Sequence, residues 1–156
     1  MSLPDVYRNF VFRTQNVLPT DTVVDKGFRF ISPRDFDPDE AEGVARTFTV
    51  YWEGSDPDLE PTDMSERVAD HTFTIEIAYS TSFPVDVLNR IFLSDRNDLI
   101  KALRIPSGYK GTGNDNPTVS TGLWARRRAR DEIDRGGTHT WYLRQTWVCT
   151  CREDEV

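Results

Sequence analysis

The chain has 156 residues, 29% of them charged, with 26 acids against 19 lysines and arginines, a formal net charge of −7 and a pI near 4.8. That length suits one domain with its own core, and the acidic balance speaks against a protein whose main task is to neutralise phosphate or sit on an anionic bilayer, since both need a positive field. No run approaches the roughly 18 apolar residues of a membrane span, "MSLPDVYRNFVFRTQ" lacks the basic-then-apolar plan of a signal peptide, and two cysteines are too few to staple the chain, so the expectation is a protein that stays in the reducing compartment where it is made.

Residues 3–14 repeat Leu3, Val6, Tyr7 and Phe10 at helical spacing, which predicts a short amphipathic helix, although the run Phe10, Val11, Phe12 also suits a strand. "GFRFIS", 27–32, reads as a short strand ended by Pro33, and "PRDFDPDEAEG" after it is acidic and rich in turn formers. "VARTFTVYWE", 44–53, alternates so that Phe48, Val50 and Trp52 share one face, before the loop "GSDPDLEPTD" interrupts it. "HTFTIEIAYS", 71–80, is the clearest strand: Phe73, Ile75, Ile77 and Tyr79 face a core, while Thr72, Thr74 and Glu76 face water or a neighbour. Pro84 then suits a helix start, and Val85, Leu88, Ile91, Phe92, Leu99 and Leu103 trace an apolar stripe towards Pro106. The polar cluster "SDRND", 94–98, interrupts that stripe; with Ser94 and Asp95 as N-caps it predicts two helical pieces with a kink between them. Residues 107–122, "SGYKGTGNDNPTVSTG", have the composition of a long loop, and "LWARRRARDEIDR" leads to Gly136 and Gly137, which suit a tight turn into a closing strand.

The closing segment "THTWYLRQTWVCTC", 138–151, alternates so that Trp141, Leu143, Gln145, Trp147, Cys149 and Cys151 fall on one face and Tyr142, Arg144, Thr146, Val148 and Thr150 on the other. The C-x-C pair raises a metal reading. Ten residues of extended strand separate Cys149 from His139, roughly 33 Å, too far for one coordination sphere, and His71 is the other imidazole. A disulfide between neighbours two apart in one strand would need distorted geometry. The cysteines therefore read as small buried hydrophobes.

Strands grouped together with helices set apart from them predict an α+β fold: a mostly antiparallel sheet of about four or five strands, helices on one face, and a long loop before the C-terminal strand. The whole chain, 1–156, reads as a single domain, with 107–137 a long polar and basic loop or extension within it. No G-x-S-x-G, P-loop, dinucleotide fingerprint or H-E-x-x-H occurs, each histidine opens a strand with no nucleophile motif beside it, and "DPDLEPTD" lacks the central glycine and closing glutamate of a calcium loop. The expectation is a non-enzyme without cofactor or metal. The strongest local charge anomaly is Arg126, Arg127, Arg128 and Arg130. It reads either as a contact for nucleic acid or an acidic protein surface, or as a helix face neutralised by Asp131, Glu132 and Asp134 at i+4 from Arg127, Arg128 and Arg130.

The order of "RTFTVYWEG", "HTFTIEIAYS", the helix "PVDVLNRIFL", a second short helix, "SGY" and "TGLW" in a long loop, and a terminal strand "WYLRQTWVCT" resembles the tail terminator (tail completion) proteins of long-tailed bacteriophages, over about residues 44–151. The stretch 125–135 is a basic extension beyond that plan. The resemblance implies a virion structural protein with no active site: a ring, a homohexamer, that caps the tail tube, ends its polymerisation and offers a joining surface to the head. Its partners would be further copies of itself, the tail tube protein and a head-completion or neck protein, with genomic DNA passing through the lumen and no membrane. Its place would be the tail-neck region of the virion, and the host cytoplasm during assembly. Arg126, Arg127, Arg128, Arg130, Tyr109, Lys110 and Trp124 are the candidate residues for subunit or partner contact. Two alternatives stand beside this reading: another neck or head-completion adaptor, and a small nucleic-acid-binding module using Arg126 to Arg130 with Trp124 as a stacking residue.

Overall fold

Three long alternating segments pair side by side and set the architecture. The computed structural model describes residues 3–24, 27–37, 45–55, 68–103, 125–127, 131–135 and 139–152. In chain order the elements are α1 (Leu3–Gln15), β1 (Arg29–Phe30), β2 (Ala45–Ser55), β3 (Val68–Ser80), α2 (Val85–Leu103), β4 (Ala125–Arg127), β5 (Glu132–Asp134) and β6 (Thr140–Arg152). One sheet runs β1-β2-β3-β6-β4, with β5 also paired to β6. Every pairing is antiparallel except the short parallel one between β1 and β2. The fold is α+β, with both helices on one face of a mostly antiparallel sheet.

The closing strand lies in the middle of the sheet. β6 runs beside β3 from Val68↔Arg152 to Ser80↔Thr140, and β2 flanks β3 on the other side. Directly opposed residues share a face, so Phe48, Ile77 and Leu143 form one row, and Val50, Ile75 and Gln145 the next. This face carries the core, where Phe48, Val50, Phe73, Ile75, Ile77, Tyr79, Leu143, Trp147 and Cys149 pack with Val6 and Phe10 of α1 and Leu88, Ile91, Phe92, Leu99 and Leu103 of α2. α1 is a helix because its apolar residues repeat at helical spacing, and it sits over β2 and β3: Phe10 stacks 4.8 Å from Phe73, and the Tyr7 hydroxyl donates to the Val50 carbonyl at 2.8 Å. α2 covers β3 and β6 through Phe92, 4.8 Å edge-on to Tyr79 and 6.5 Å from Trp141.

Two local expectations are corrected. Residues 94–98 do not divide the helix in two; α2 is continuous from Val85 to Leu103. Ser94 and Asp95 are therefore not N-caps. The polar cluster fits an unbroken helix because its members point at different partners: Asp95 inward to Arg46, Asp98 to Thr20, and Arg96 to Asp131. The helix expected along 127–134 is corrected where that stretch is described, because Ala125–Arg127 and Glu132–Asp134 are short strands paired with β6. Asp131 pairs with Arg96, and Asp134 with Arg144. These two strands fall within 107–137; the remainder of that stretch, apart from residues 131 and 135, lies outside the described residues, as do Gly136 and Gly137.

Candidate functional site: the α2 groove and the Arg144 cluster

α2 is gripped from one side and left open on the other. On the gripped side, Arg46 is fully buried at the head of β2, where a bulge between Ala45 and Thr47 holds it in the left-handed region at φ 55°. The bulge turns its side chain under α2. There Nε and one terminal nitrogen of the guanidinium donate to the two Asp95 carboxylate oxygens at 2.8 and 2.9 Å. The remaining donors reach the carbonyls of Val24 at 2.9 Å and Asp21 at 2.8 Å. The Tyr79 hydroxyl donates to Asp95 at 2.6 Å. Burial pushes the Asp95 carboxyl above the ordinary aspartate value against the pull of Arg46 and Tyr79, and burial, followed by the neighbouring Asp95 charge, pushes the Tyr79 phenol well up. The 17–24 loop is tied down further by Thr20, which donates to Asp98 through its backbone N–H at 2.8 Å and its hydroxyl at 2.9 Å, and by Arg90 to Asp21 at 2.9 Å.

The opposite flank of α2 opens into a groove of about 560 Å³ against β5 and β6, lined by Asn89, Phe92, Leu93, Arg96, Asp131, Ile133, Arg135 and Leu143. Phe92 and Leu143 form its buried floor, whereas Leu93 and Ile133 on its walls are 64% and 37% exposed. Side-chain bridges span the groove. Arg96 Nε donates to Asp131 at 2.6 Å, and Arg135 donates to Asn89 at 3.3 Å. The Arg135 guanidinium lies 5.7 Å from the Trp141 ring centre, so its charge meets a neutral amide and an aromatic face. The size falls within the range of ligand and side-chain pockets, and the apolar floor lies between an Arg96–Asp131 ion pair and Arg135.

The sheet face away from the helices is largely covered: Thr47, Thr49, Ala78, Tyr142 and Val148 on it are buried. Phe36 covers one corner, on Ala78 and Tyr142. Beyond it, Arg144 bridges Glu76 at 2.9 Å and Asp134 at 3.3 Å, with its guanidinium 5.6 Å from the Tyr142 ring centre. The hydrogen bond to Glu76 raises the Arg144 pKa further. Burial, and then the Glu76 charge, raises that of Tyr51. Thr74 and Thr146 face each other across β3 and β6. Threonine, tyrosine and a crossed ion-pair cluster make a polar, partly desolvated plane.

Of the candidate contact residues, Arg126 and Arg127 have their backbones in β4, opposite Val148 and Trp147. Their side chains, and Tyr109, Lys110, Trp124, Arg128 and Arg130, lie outside the described residues. Spacing along the chain missed two arrangements. One is the Arg46–Asp95 pair, separated by 49 residues, for which the sequence signal was an aspartate on an otherwise apolar stripe. The other is His71 directly opposite Cys149. The Trp52 indole N–H donates to His71 Nδ1 at 3.2 Å, and the His71 and Cys149 side chains are both buried, Cys149 in the core. Among the described residues no group of three or more His, Cys, Asp or Glu side chains is placed to hold a metal ion.

No family model matches the chain, and no curated protein matches it.

Proposed function

We propose that this protein is a structural subunit of a long-tailed phage virion, a tail terminator that caps the tail tube, ends its polymerisation and forms the surface to which the head is joined. One observation carries the reading. Three strands and one helix on which the resemblance rests are neighbours, with β2, β3 and β6 adjacent and α2 laid across β3 and β6; the second short helix of that plan is part of the continuous α2, and "SGY" and "TGLW" lie outside the described residues. A ring subunit needs edges and faces left over for neighbours, and the groove along α2 supplies one. On this reading the working form is a homohexameric ring in the tail-neck region, assembled in the host cytoplasm. It touches the tube protein on one side and a neck protein on the other, carries no cofactor, catalyses no reaction, and encloses the path of the DNA.

The test is removal of the gene from the phage that carries it. Overlong tails, or tails without heads, are expected in electron micrographs, with rescue by the protein supplied in trans. Tails of normal length joined normally to heads would overturn the proposal. Labelling the subunit in intact particles separates a cap on the tube end from an adaptor against the portal.

A further inference from the structure

We draw no further inference here: the strongest candidate, the groove between α2 and β5 with Leu93 and Ile133 partly exposed on its walls, carries nothing because nothing in the structure shows what covers it.

Discussion

Arg46→Ala removes the one side chain that joins β2, the 17–24 loop and α2. It breaks a bidentate pair whose members are 1% and 0% exposed and leaves Asp95 charged or protonated in a dry site beside Tyr79. Breaking a buried pair from one side costs about 3–5 kcal/mol, against roughly 5–15 kcal/mol of total stability for a domain. The variant should therefore lose roughly a fifth or more of its stability in urea denaturation followed by tryptophan fluorescence. Arg46→Gly loses the same pair but relaxes the left-handed backbone, so it should be less destabilised than Arg46→Ala by about 1 kcal/mol. Asp95→Ala should cost as much as Arg46→Ala, and the double variant should cost clearly less than the sum, because neither orphaned group remains once both are gone. Arg46→Ala losing less than about 1 kcal/mol, or a strictly additive double variant, would refute the view that α2 and the loop are locked by this pair.

Two further outcomes can be checked directly. The Val23 N–H, and then Arg90, hold the Asp21 carboxyl below its ordinary value; a depressed folded pKa means that its contribution to stability is present above about pH 4 and is lost as pH falls through the folded value. Asp21→Asn should thus lower the urea midpoint slightly at neutral pH, by less than about 1 kcal/mol because Arg90 is largely exposed, and should converge with wild type in acid; a difference that grows below pH 4 would contradict this. Replacing Arg126, Arg127, Arg128 and Arg130 together by Gln should keep the fold, read from circular dichroism and tryptophan emission, while weakening assembly most at low salt, the difference from wild type shrinking as salt screens the wild-type contacts. Assembly unchanged at every salt concentration would show that the run makes no partner contact.

The sheet was legible because its strands obey a two-residue period with strong chemistry. In "HTFTIEIAYS" and "WYLRQTWVCT" the apolar face is named residue by residue, and Ile77 opposite Leu143 follows once the strands are paired. The places where the sequence misleads are those where a polar residue serves a distant partner. Ser94 to Asp98 looks like a helix break because local composition cannot show that Asp95 has Arg46 waiting beneath it. The 125–135 stretch looks self-neutralising on a helix because i+4 spacing is visible in the sequence, whereas Arg96 on α2 and Arg144 on β6 are not visible as partners for Asp131 and Asp134. The groove was not legible for the same reason, since its walls come from three separated elements.

These corrections converge on one helix. α2 carries an inward aspartate that fixes the loop on one flank and an arginine on the other that bridges to β5, so the polar residues that resemble a break hold the helix to both sides of the sheet. A continuous α2 keeps Asn89, Leu93 and Arg96 in one row along the groove, which a kink at 94–98 would break. A buried ion pair adds little net stability over a well-packed apolar substitute, so its value here lies in position: Arg46 sets where the 17–24 loop stands, while the same helix sets the shape of the groove. A single helix anchored on both flanks holds the 17–24 loop and the groove in fixed relation to each other within the subunit.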